Sequence, residues 1–145
     1  MTNIRFVKVN PMAQEPTRGS LCAAGYDLSA AINSAVIIAP HTTIKIGTGL
    51  AVELPDNTFG AIYARSGIAS KEGLRPANCT GVVDSDYRGE IIVALHNDSE
   101  VIRIVEPGER IAQLVVQPYV SVVFEEVEEL DATDRGTGGF GSTGK

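Results

Sequence analysis

Apolar residues in this chain come in short runs, mostly alternating with polar ones and repeatedly broken by proline, glycine or asparagine. Ile4 and Phe6 flank Arg5, and Val7 and Val9 flank Lys8, so each triplet has the period of a half-buried strand. The phase slips between Phe6 and Val7, which predicts a bulge there. Further strands are predicted over Ala35–Ile38, Thr42–Leu54 (through Ile44 and Ile46), Thr58–Ala64, Ile91–His96, Val101–Val105, Arg110–Gln117 and Val120–Val127. Pro55-Asp56-Asn57, Asn97-Asp98, Pro107-Gly108 and Pro118 supply the breaks. The one helical signal is short: Ser66 as cap, Gly67 to Glu72 as body and Gly73 as the C-terminal stop. About nine or ten strands with turns every eight to twelve residues predict an all-β fold, a jelly-roll-like sandwich or barrel.

Composition narrows the function classes. The 145 residues suffice for one domain with a real core, and 43% hydrophobic with 21% charged residues is ordinary for a globular chain. A net charge of −6 argues against a general nucleic-acid binder, so bound polyphosphate would need local arginines and backbone N–H groups. Cys22 and Cys79 lie far apart, in no metal-binding or redox spacing, which points to a reducing compartment. No apolar run approaches a membrane span and the start lacks a signal-peptide core. The expectation is a cytoplasmic protein, or a nuclear one in a eukaryotic or viral setting, with no membrane partner. After the acidic stretch from Glu125 to Asp131, Arg135 to Lys145 carries five glycines and a single aromatic residue, Phe140, the composition of a flexible tail.

One stretch concentrates candidate chemistry. From Gly81 to Glu90 the chain reads Gly-Val-Val-Asp-Ser-Asp-Tyr-Arg-Gly-Glu, between two apolar runs, and this predicts a β-hairpin. A carboxylate on such a rigid bend can take a proton from water, and the adjacent tyrosine ring can cover a flat ligand. Taken alone, the segment reads more readily as a solvated acidic turn than as a site.

Four other segments change that balance. They are Ala24-Gly25-Tyr26-Asp27-Leu28, Arg65-Ser66-Gly67 at the helix start, Gly108 to Leu114, and the tail from Arg135 to Gly144. Singly they are a bend, a cap, a turn and a linker, although a helix start and a glycine-rich run with Arg, Ser and Thr can both bind anions. Together and in this order, the five segments closely resemble the five motifs of the trimeric dUTP pyrophosphatases, the dUTPases, over most of the chain. His96 departs from what that family leads one to expect, but it lies outside the motifs and reads as structural.

The resemblance implies the following roles. Asp84 is the base that activates water for attack on the α-phosphorus of dUTP, giving dUMP and diphosphate. Tyr87 packs against the deoxyribose and leaves no room for a 2′-hydroxyl. Asn78 and the backbone of Gly81, Val82, Val83 and Asp84 read the uracil edge. Arg65, Ser66, Gly67 and Gln113 hold the phosphates. Asp27 meets waters of a Mg²⁺ carried mainly by those phosphates. In the tail, Arg135 reaches the γ-phosphate, Phe140 stacks over uracil, and Gly141 and Ser142 also bind substrate. The implied organisation is a β domain over residues 1–127 and an arm over 128–145 that closes a site on another subunit of a homotrimer. Two rivals stay open at this point. A related dCTP deaminase is opposed by the tail and the Asp84–Tyr87 segment, and a regulatory role for a protein partner would be additional to catalysis.

Overall fold

The computed structural model describes residues 3–139. Within them lie the strands β1 (Arg5–Lys8), β2 (Tyr26–Ser29), β3 (Val36–Ile38), β4 (Thr43–Gly47), β5 (Leu50–Glu53), β6 (Thr58–Tyr63), β7 (Leu74–Pro76), β8 (Gly81–Val83), β9 (Ile92–Asn97), β10 (Arg103–Val105) and β11 (Arg110–Pro118). The helix α1 (Ser66–Glu72) joins β6 to β7. All pairings are antiparallel, and the strands form sheets in the orders β1-β5, β10-β3, β2-β11-β6-β8 and β4-β9-β7.

Alternation along β9 shows how the core is built. Val93, Leu95 and Asn97 point inward while their neighbours do not. Val93 and Leu95 meet Leu28, Ile38, Ile46, Leu74 and Ile111 in one apolar cluster. Asn97 is fully buried but satisfied, since its Nδ2 donates to the carbonyls of Ile38 and Val101 and its Oδ1 accepts from Ser99. In β11 the register shifts between Arg110 and Ala112, and the adjacent Ile111 and Ala112 are both buried as a result.

Four local expectations are corrected. The predicted strand Thr42–Leu54 is two strands, because Gly49 takes φ 67° and packs against Ala13 and Asn10 where a side chain would not fit. No bulge interrupts β1, which pairs with β5 residue for residue from Arg5 to Lys8; all four of its residues are exposed, so burial does not select one phase. Ser66 is the first helical residue, and Arg65 takes the cap position with extended backbone and no capping side-chain bond. Gly73 does end the helix, in the left-handed conformation. Val120–Val127 forms no strand, since it finds no neighbouring strand among the described residues to complete its hydrogen bonds.

The segment from Gly81 to Glu90 is not a hairpin. Its two flanks belong to different sheets, β8 pairing with β6, and β9 with β4 and β7. The intervening residues form a crossing loop, tightened by a turn in which the Tyr87 N–H donates to the Asp84 carbonyl at 3.1 Å. The two flanks satisfy their backbones on separate partners, so adjacency in sequence does not become pairing.

Candidate active site

The crossing loop shapes the first pocket. Asp84 and Tyr87 line it with Asn78, Gly81, Val82, Val83 and Glu90, against a floor of Ile62 and Ile91, in a volume of about 240 Å³. Asp84 is exposed to the pocket mouth. The Tyr87 hydroxyl donates to the Glu90 carbonyl at 3.0 Å, and Gly89 lies flush under the ring, where a Cβ would come within 2.4 Å of the hydroxyl oxygen. The ring is thus held upright by its own loop. The Glu90 carboxylate accepts from the Gly49 N–H at 2.7 Å, a structural task consistent with its fixed position beside the pocket.

The second pocket, of about 460 Å³, gathers Gly25, Asp27, Arg65, Ser66, Gly67, Arg110 and Gln113. Three segments distant in sequence meet here because β11 pairs on one side with β2 and on the other with β6, whose end leads into α1. The Gln113 Nε2 donates to the Ala64 carbonyl at 2.8 Å, and its Oε1 lies 2.3 Å from where a Cβ on Gly25 would stand. The glycine therefore makes room for the amide. Asp27 is half-buried between two arginines, its Oδ1 accepting from Arg65 Nε at 2.7 Å and its Oδ2 from Arg110 Nη1 at 3.0 Å. The first-turn N–H groups of α1 have no acceptor within the helix. Two guanidiniums against one carboxylate leave one positive charge over, so the pocket is suited to an anion.

The two pockets share no lining residue. Ile62 lines the first and Tyr63 the second, although they are neighbours in β6. Successive strand residues point to opposite faces, so Ile62 and Tyr63 direct their side chains to opposite sides of β6.

The structure thus brings together Asp84, Tyr87, Asn78, Gly81, Val82 and Val83 in one place, and Asp27, Arg65, Ser66, Gly67 and Gln113 in another. It does not bring Arg135 to either: that side chain donates to the Gly138 carbonyl at 2.8 Å within its own exposed turn. Phe140, Gly141 and Ser142 lie outside the described residues. Sequence reasoning missed Arg110, which shares the second pocket and Asp27. Its signal was its place in the Gly108–Leu114 segment beside Gln113.

Among the described residues, no helix is long and apolar enough to cross a membrane and no cluster of three His, Cys, Asp or Glu is placed to hold a metal ion.

The class defined by these features is an all-β fold with two separate polar pockets, one holding Asp84 and Tyr87 and the other Asp27, Arg65, Arg110 and Gln113. Comparison with known proteins makes it specific: the dUTPase family profile matches residues 12–144, and the chain belongs to that family. The deoxyuridine 5′-triphosphate nucleotidohydrolase of Desulfitobacterium hafniense is 47% identical over 142 residues, covering 97% of this chain and 94% of the relative. That of Corynebacterium glutamicum is 46% identical over 149 residues, covering 100% and 99%. Among solved structures, the dUTPase of Staphylococcus bacteriophage 80alpha with dUpNHpp superposes with a TM-score of 0.92 at 29% identity, covering 100% of both chains. The fold is the dUTPase jelly roll.

Proposed function

We propose that this dUTPase-family enzyme hydrolyses dUTP to dUMP and diphosphate at sites shared between subunits of a homotrimer. The carrying observation is that the pocket of Asp84 and Tyr87 and the pocket of Asp27, Arg65 and Gln113 are separate, with no lining residue in common. Two subunits packed together can offer one pocket each, so that one dUTP places its base in the first and its phosphates in the second. Uracil then meets Asn78 and the Gly81–Asp84 backbone, deoxyribose meets Tyr87, and the phosphates meet Arg65, Ser66, Gly67 and Gln113 of a neighbour. Analogue-bound phage 80alpha dUTPase supports a dUTP-shaped ligand.

In this mechanism Asp84 accepts a proton from a water whose oxygen attacks the α-phosphorus in line, and diphosphate departs. The reaction needs little covalent help beyond this proton acceptor, correct placement and charge neutralisation. Arg65 supplies fixed positive charge and Gln113 a neutral hydrogen-bonding group. An edge-reading pocket rejects cytosine because the wrong base leaves buried polar groups unpaired.

Mg²⁺ fits the donor set as an ion carried on the phosphate chain. Asp27 is the carboxylate of the phosphate pocket and both its oxygens already accept from arginines, which suits an outer contact to a hydrated ion rather than a protein cage. When bound, Mg²⁺ would neutralise charge on the departing diphosphate.

Subunit contact is further supported by the apolar stretch after β11, where Val120, Val123 and Phe124 are 82%, 95% and 96% exposed in the single chain. The division into a β domain (1–127) and a closing arm (128–145), with Arg135 at the γ-phosphate, Phe140 over uracil, and Gly141 and Ser142 also binding substrate, belongs to the same proposal. A nucleotide-sensitive protein partner is an added proposal, resting on the phage 80alpha relative, described as controlling transfer of virulence genes by a G protein-like mechanism.

Complementation tests the shared site. Asp84→Asn disables the base half and Arg65→Ala the phosphate half, so each homotrimer should release little diphosphate from dUTP. In trimers co-refolded from equal amounts, independent choice of the two halves restores about a quarter of the sites. Activity no greater than the sum of the parents, with mixed trimers verified by native mass spectrometry, would refute the sharing.

A further inference from the structure

We infer that Arg75 is a positioning residue for base recognition: clamped by Asp98, it holds the Pro76–Cys79 turn that carries Asn78 to the pocket. The inference rests on the dUTP reading above and concerns a residue outside every motif that reading uses.

The guanidinium of Arg75 is engaged on two sides. Toward β9 it meets Asp98 through two bonds, Nε to Oδ2 at 2.6 Å and Nη2 to Oδ1 at 2.9 Å. Toward the turn, Nη1 reaches the carbonyls of Pro76 at 3.1 Å and Ala77 at 3.4 Å, and lies 4.0 Å from Cys79 Sγ. Asp98 is itself well anchored, because its N–H donates to the Gly73 carbonyl at 2.8 Å and it follows the fully buried Asn97. His96 Nε2 stands 3.4 Å from Asp98 Oδ1, and His96 Nδ1 shares a 2.8 Å bond with Thr43.

The turn needs such a clamp. Cys79 takes φ 61°, a left-handed conformation that disfavours a residue with a Cβ. The Pro76 carbonyl also accepts from the Cys79 N–H at 3.0 Å, and the Ala77 N–H donates to Ala94 at 2.7 Å. Two carbonyls directed at one point repel unless a cation stands between them, and Arg75 Nη1 is that cation. Between these fixed residues sits exposed Asn78, beside the pocket. With the clamp gone, Cys79 can relax to ordinary backbone angles, and the Asn78 amide turns away from the base edge. Binding and base choice should then suffer, while proton transfer at Asp84, on a separate loop, should not.

The test uses full-length Arg75→Gln, Arg75→Lys and Asp98→Asn, with Glu100→Gln as control. Among the described residues Glu100 pairs only with His41, at 3.0 Å, so removing its charge spares the turn. Diphosphate release from dUTP and dCTP should show KM for dUTP raised about tenfold and kcat within about twofold, as for one weakened hydrogen bond. The kcat/KM preference for dUTP over dCTP should fall by a similar factor. Lysine should not rescue, because a single ammonium cannot bridge two carboxylate oxygens and two carbonyls at once. Amide exchange of the nucleotide-free protein should quicken over residues 76–81 and stay unchanged in β9. Unchanged KM and preference in the folded variants, or exchange that quickens throughout the chain, would overturn the inference. If the unmodified protein released no diphosphate from dUTP, the functional reading would fail, and the exchange measurement would still decide whether Arg75 holds the turn.

Discussion

Gly25→Ala is a sharp test of the phosphate pocket, because the added methyl has one predictable victim. Its Cβ would stand 2.3 Å from Gln113 Oε1 and 3.2 Å from Cδ, so the amide must leave. Gly25 has no positive φ that an alanine would strain, and the displaced group is the end of a flexible side chain. The stability loss is therefore confined to the Gln113–Ala64 hydrogen bond, about 1 kcal/mol. Losing a hydrogen bond to a charged phosphate costs more, about 1.5–3 kcal/mol, or roughly ten- to 150-fold in kcat/KM. Steady-state diphosphate release would read the activity and thermal unfolding the stability. Deoxyuridine, which lacks phosphates, should bind as before. Gln113→Ala should cost a similar amount, and the double variant should cost no more than either, since both remove the same contact. Retention of kcat/KM within twofold in Gly25→Ala, or full additivity in the double variant, would refute the assignment of Gln113 to the phosphates.

Three further outcomes are expected. Asp84→Asn should lower kcat by about 10²–10⁴-fold while dUTP affinity measured by calorimetry stays within a few-fold, since shape is kept and the proton acceptor removed. Gly89→Ala should displace the Tyr87 ring, whose Cζ lies 2.5 Å from the added Cβ, and raise kcat/KM for UTP relative to dUTP; an unchanged ratio would detach Tyr87 from sugar selection. The Arg75 side-chain bond holds the Asp98 carboxyl below its ordinary value of 3.8. A depressed carboxyl stabilises the fold above that ordinary value and loses the contribution as pH falls through the lowered one. Urea unfolding of Asp98→Asn should accordingly fall less steeply than that of the unmodified protein below about pH 4.

Much of this protein was legible along the chain, because strand formation depends on local alternation and turn residues. The strands around Ile44, Phe59, Leu95 and Leu114 and the helix ended by Gly73 all stand where the pattern put them. The five polar segments disclosed the family, since the residue types that bind phosphate and activate water are few and their order is written in one dimension. What the chain could not disclose was pairing. Gly81 and Ile92 sit close in sequence but in separate sheets, because each strand completes its backbone hydrogen bonds on whichever neighbour the fold supplies. The strand predicted over Val120–Val127 has no such neighbour among the described residues and does not form. The separation of the two pockets is likewise invisible in sequence: Ile62 and Tyr63 are neighbours in β6, yet one lines the pocket of Asp84 and Tyr87 and the other that of Asp27, Arg65 and Gln113. Arg75 shows the same limit, since only the antiparallel pairing of β7 with β9 carries it to Asp98 and makes an ordinary strand arginine the support of Asn78.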